Sequence, residues 1–173
     1  MLTTLPLLAF PLCLALAALS DARRYIIPNE LSLALIISFL VAFVFSGLGW
    51  AELGQALALF ALVLSIGMAL WALGYLGAGD VKLLAAIAPW LGWADFANAL
   101  LMITVCGGAL CLGFLGARKM AHWWPRTGLM LPGLAKLGAQ NVREIKIPYG
   151  VAIAVGAMIA FPEAPLFEAL IAR

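Results

Sequence analysis

Charge is what this sequence has least of: its 173 residues hold eight acids, ten Lys and Arg and one histidine, so charged residues make up 10% of it. No long polar block interrupts the chain, which excludes a sizeable separate soluble domain and leaves one domain, 1–173, as the expectation. A net charge of +2 is too small to indicate nucleic-acid binding. With His122 as the single histidine there is no HExxH zinc site and no Ser–His pair, and His122 itself, beside Trp123 and Trp124, reads as an interfacial aromatic. The three cysteines, Cys13, Cys106 and Cys111, lie in apolar runs without CxxC spacing. They are expected to be small buried hydrophobes, with no metal site and no disulfide framework. A phosphate-cradling loop is missing too. Gly107, Gly108, Gly113 and Gly116 lie at small-residue spacing in an apolar run and predict helix packing.

What the chain has in abundance is apolar sequence: 66% of residues are hydrophobic and the mean hydropathy is +1.12, far from a soluble domain's average. The class expected is an all-α, polytopic membrane bundle. Residues 1–20 carry no charge, and Arg23 and Arg24 follow the apolar run rather than precede it. That is the wrong order for a cleaved signal peptide, so residues 5–19 are read as a retained first crossing. Further crossings are expected at 31–50, within 53–79, within 96–117 and at 147–161. The stretch 81–93 is short for a bilayer of about 30 Å. Charge argues that it crosses, because six crossings place every Lys and Arg except Arg173 on the cytoplasmic side, including Arg118, Lys119, Arg126, Lys136, Arg143 and Lys146. Glu52, Asp95, Glu163 and Glu168 then fall outside, giving an N-out, C-out protein. Trp50, Trp90 and Trp93 are expected at the outer interface, and Trp123 and Trp124 at the inner one. Residues 118–146 mix basic and apolar side chains, which suits a segment lying on the membrane surface.

Acids in or at the edge of a membrane bundle are functional candidates because their desolvation is costly. Two stand out. Asp21 ends the first crossing in Asp21-Ala22-Arg23-Arg24-Tyr25-Ile26-Ile27-Pro28-Asn29, and Asp80 ends Gly77-Ala78-Gly79-Asp80 at the start of the fourth. Taken singly, Asp80 reads as a helix cap for the Lys82 or Leu83 amide, and Asp21 as an interface marker beside Arg23 and Arg24. Two crossings lie between them, and an even number returns the chain to one side. The two carboxylates can therefore meet at one membrane edge and share a proton, as an aspartyl protease dyad requires. Gly77 and Gly79 leave room for another chain beside Asp80, and Pro28 and Pro148 keep the chain near that edge from continuing as helix.

These motifs resemble the type IV prepilin peptidases, in particular the short branch that serves tight-adherence (Flp) pili. The resemblance rests on Asp21, Arg23, Ile27, Pro28 and Asn29 after the first crossing, on Gly77, Gly79, Asp80 and Lys82 before the fourth, and on Pro148, Tyr149 and Gly150 opening the last. It implies that Asp21 and Asp80 are the catalytic pair. It also implies a membrane-inserted prepilin substrate with a basic leader, cut after a glycine at the cytoplasmic face of a bacterial inner membrane, with the pilus assembly machinery nearby. Arg23, Pro28, Asn29, Gly77, Gly79, Lys82, Pro148, Tyr149 and Gly150 are the supporting or substrate-contact candidates. Longer members carry an extra cytoplasmic segment with paired CxxC motifs and also methylate the new N-terminus. This sequence has neither feature, so no methyltransferase, no zinc, no S-adenosylmethionine and no other cofactor is expected. Two other readings of the acids stay open: a small ion- or proton-coupled transporter, and a non-enzymatic subunit of a secretion or pilus assembly machine.

Overall fold

The computed structural model describes residues 5–123 and 147–172, and every regular element among them is helical. Helix α1 spans Leu5–Arg24, α2 Asn29–Ser46, α3 Trp50–Ala72, α4 Ala78–Trp123 and α5 Tyr149–Ala160; a 3-10 turn at Phe161–Glu163 and the short α6, Pro165–Ile171, follow. Three segments are long and apolar enough to cross a membrane, Asn29–Ser46, Trp50–Ala72 and Ala78–Ala117, or up to four if Tyr149–Glu163 and Pro165–Ile171, bent by 52°, count as one. Trp50, placed by the sequence at the end of the second span, instead opens α3. The expectations for Trp124 and for most of residues 118–146 fall outside the described residues, as do those for the His122 and Trp123 side chains.

The stretches 81–93 and 96–117 belong to one helix, broken at Gly92 (φ 72°, ψ −179°). Positive φ is open to glycine at little cost, because a Cβ would crowd the backbone there. Contacts on either side show the direction of travel after the break. Gly107 lies against Tyr149 and Ala152, and Ile103 lies against Gly156, so the second limb of α4 runs antiparallel to α5. Asn29 pairs with Lys82 and Leu35 with Trp90, so the first limb runs parallel to α2. At the Gly92 end, Pro165 comes within 3.8 Å of a Cβ built on that glycine. Glu52 lines a small cavity with Gly92, Trp93 and Pro165, and Asp95 lies within electrostatic reach of Glu163 and Glu168. The four acids Glu52, Asp95, Glu163 and Glu168 therefore gather at one end of the bundle, about 18 Å of helix from Asp80.

Trp90 is fully buried within the bundle, while Trp50 and Trp93 are exposed. Burial of an indole requires a partner for its N–H, and Nε1 donates to the Leu35 carbonyl at 3.0 Å. Around it stand Phe10 at 5.2 Å, Phe39 at 6.0 Å and Phe161 at 6.0 Å between ring centroids. Three separate segments are thus keyed to one ring. In a bilayer, where lipid is as apolar as the helix surface, such packing and hydrogen bonding carry much of the association.

Small residues close only part of the interface expected of them. A Cβ on Gly156 would lie 2.6 Å from the Ile103 backbone nitrogen, whereas one on Gly108, Gly113 or Gly116 would meet no described atom within 4 Å. Gly156→Ala should therefore destabilise the fold by about 1–3 kcal/mol, read as a lowered Tm in detergent. Gly108→Ala should leave Tm unchanged, and equal Tm values for the two variants would contradict the packing. Cys13 is buried as expected, while Cys106 and Cys111 are only partly so.

Candidate active site

The end of the bundle away from the acid cluster is built from four helix termini. The last turn of α1 carries Asp21, which is only 7% exposed. The helix then stops at Tyr25, whose φ of 55° is left-handed and uncommon for a residue with a side chain; its N–H still reaches the Asp21 carbonyl at 2.8 Å. Ser20 Oγ donates to the Ile26 carbonyl at 2.8 Å. Ile27 turns inward and is buried, and Pro28, extended at ψ 139°, sits at the N-cap of α2. Pro148 holds the equivalent place before α5.

Two carboxylates lie at this end of the bundle, each against the N-terminus of a helix. Gly150, in the first turn of α5, donates its N–H to Asp21 Oδ2 at 2.7 Å in a buried bond. Asp80 is the third residue of α4 and accepts the N–H of Gly77, just before that helix. The capping of Lys82 or Leu83 expected from sequence is not what forms, because a side chain at the third helical position reaches back to the cap residue rather than forward. Asp21 and Asp80 are close enough for the charge of Asp21 to act on Asp80. First-turn amides and the helix dipole both favour negative charge, so α4 and α5 together offset part of the repulsion between the two groups.

Glycine lines the site where chains approach most closely. A Cβ on Gly150 would sit 2.8 Å from Asp21 Oδ2 and 3.0 Å from its Cβ and Cγ; one on Gly77 would sit 2.8 Å from Asp80 Oδ2; one on Gly79 would lie 3.2 Å from Ile27 Cβ. Lys82 Nζ donates to Asn29 Oδ1 at 2.9 Å. Of the residues singled out from sequence, Asp21, Asp80, Gly77, Gly79, Gly150, Asn29 and Lys82 are brought together. Pro28 and Pro148 start the helices beside them, and Arg23 and Tyr149 are exposed at the rim. Sequence reasoning left Ser20 and Ile27 without a role; the one apolar side chain turned inward from an exposed connector was the available signal.

The family model described as type IV leader peptidase family matches residues 8–112, a stretch containing both aspartates. The chain belongs to the type IV leader peptidase family. Among curated relatives, the prepilin leader peptidase/N-methyltransferase of Dickeya chrysanthemi is 36% identical over 145 residues, covering 79% of this chain and 49% of that protein. The protein of the same description from Pectobacterium carotovorum subsp. carotovorum is 36% identical over 108 residues, 57% of this chain and 37% of its own length. That from Burkholderia pseudomallei (strain 1026b) is 34% identical over 113 residues, 61% and 37%. The chain thus spans between about a third and a half of the curated relatives it matches. No solved structure matches. Membership fits the membrane character of the helices.

Proposed function

We propose that this protein is an intramembrane aspartyl endopeptidase that removes the basic leader of type IV prepilins, of the Flp type, after a glycine at the cytoplasmic face of the inner membrane. The observation that carries the reading is the placement of Asp21 and Asp80 at two helix N-termini within electrostatic reach of each other, each carboxylate already engaged by a glycine amide. In this mechanism the pair shares one proton: one carboxylate takes a proton from water as it attacks the scissile carbonyl, and the other gives one to the carbonyl oxygen. The tetrahedral intermediate collapses without a covalent enzyme adduct. The dyad titrates as a unit, so neither residue is assigned acid or base alone. A substrate unwound between leader and apolar helix suits a site at the membrane edge, where backbone groups freed from a helix can still find water. An ion-coupled carrier would set its acids midway along its helices; Asp21 and Asp80 lie in a last and a first turn.

The membrane arrangement that accompanies this reading has six crossings, N-out and C-out, with 1–173 as a single peptidase domain lacking methyltransferase, zinc or S-adenosylmethionine. The acid cluster near Gly92 supports it, since that end then faces outward and the basic residues face the cytoplasm. Single cysteines introduced within residues 124–146 should be labelled only when the cytoplasmic side is open; labelling from outside would overturn the orientation. The function itself is tested by incubating the purified protein in detergent with a prepilin. Release of the leader alone, with the mature N-terminus unmethylated in the presence of S-adenosylmethionine, is expected. An uncut prepilin would end the peptidase reading, and a methylated product would end the single-activity one.

A further inference from the structure

Resting on the peptidase reading above, we infer that Asn29 and Lys82 are a positioning pair that, with Ile27 seated on Gly79, fixes the separation of the two aspartates. Neither carboxylate's own hydrogen bond does this. The Gly150 amide ties Asp21 to α5 and the Gly77 amide ties Asp80 to its own helix; neither ties Asp21 to Asp80. A direct link between the two helix ends is the connector that leaves α1 one turn after Asp21.

Three contacts hold that connector. Ser20 Oγ pins its Ile26 carbonyl back onto α1 at 2.8 Å. Ile27, buried at 8% exposure, rests where a Cβ on Gly79 would approach it to 3.2 Å. Asn29 Oδ1 accepts from Lys82 Nζ at 2.9 Å across 53 positions of sequence. Gly79 and Lys82 bracket Asp80 in the chain, so the connector grips α4 on both sides of the carboxylate. Tyr25, at φ 55°, is where the chain turns from α1 into this grip; a residue stays in so sparsely populated a conformation only when its surroundings hold it there. The Lys82 ammonium, two residues from Asp80, is engaged by a neutral amide, which leaves the carboxylate to its Gly77 amide and to Asp21. A lysine merely reaching for lipid headgroups would need no such partner.

The test uses the full chain. In Asn29→Ala and Lys82→Met, kcat for prepilin cleavage should fall by roughly tenfold or more, as misplacement of reacting groups by about 1 Å can cost up to about 100-fold, with KM and Tm unchanged. The double variant should be no slower than the slower single one, because the two side chains act through one contact. Lys82→Arg, which keeps a donor, should recover most of the rate. A second readout is independent of activity. With the native cysteines replaced by alanine, spin labels at Arg24→Cys and Tyr75→Cys should give a narrow distance distribution that broadens when Asn29 becomes Ala. Additive rate losses, a rise in KM in place of the fall in kcat, or a distribution indifferent to Asn29→Ala would each overturn the positioning role. If the parent protein left prepilin uncut while the distribution still broadened, the peptidase reading would fall and the clamp would stand as a structural device.

Discussion

Asp21→Asn is expected to lower leader cleavage by about 10²- to 10⁴-fold, the range supplied by a positioned acid or base, and Asp80→Asn to do the same on its own. The two losses should be comparable because one proton serves both carboxylates; an amide on either side leaves nothing to share. Loss of folding would not explain such a result. The asparagine at 21 retains an oxygen that can accept the Gly150 N–H, and the one at 80 retains an acceptor for Gly77. Both variants should accordingly keep the parent Tm within a few degrees. The check is a time course of prepilin processing on a gel, run beside thermal unfolding in the same detergent. More than a tenth of parent activity in either variant would sink the dyad, and would favour a non-enzymatic role for this pair in pilus assembly.

Gly150→Ala should be nearly as damaging, although it adds a single methyl group. That carbon would lie 2.8 Å from Asp21 Oδ2 and 3.0 Å from both Asp21 Cβ and Cγ. The contact includes the root of a short side chain in a buried place, so rotation of the carboxylate alone cannot relieve it. Either α5 retreats, breaking the 2.7 Å bond that orients Asp21, or the carboxylate leaves its position. Displacement by about 1 Å predicts a loss of kcat approaching 100-fold, accompanied by about 1–3 kcal/mol of destabilisation from overpacking. Gly113→Ala is the matched control, since its Cβ meets no described atom within 4 Å. The measurement is kcat and Tm for both; Gly150→Ala within twofold of the parent rate would show that Asp21 does not depend on this amide.

How far the sequence could be read depended on the range of the interaction concerned. Apolar runs marked the helices, because a membrane helix announces itself by local composition alone. The convergence of Asp21 and Asp80 was legible from order along the chain, since an even number of passes brings both to one end. The Asp21–Gly150 bond was not. It joins residues 129 positions apart, and Gly150 entered only as part of a motif borrowed from resemblance, with no chemistry attached. The burial of Trp90 was hidden for a related reason. Hydropathy favours interfacial sites for indoles, and only the tertiary placement of the Leu35 carbonyl reveals a buried partner. The small-residue run also divided in a way no spacing could foretell: Gly107 packs against α5 while Gly113 and Gly116 have no described atom within 4 Å of an added Cβ. Gly92 stood unnoticed because glycine is common in membrane helices, and its role as the point of reversal emerges only from what lies on either side of it.

The hydrogen bond from Gly150 to Asp21 also has a meaning in time. Chains grow from the N-terminus at roughly 5–20 residues per second, so a separation of 129 positions means that Asp21 is made about 6–26 s before the amide that orients it. Asp80 is already present by then. A nascent chain interrupted between these events carries both acids but lacks the helix end that holds one of them in place. On the peptidase reading, hydrolytic competence thus waits for the helix that carries Gly150, and translation products that stop short of it are inert toward any substrate they meet.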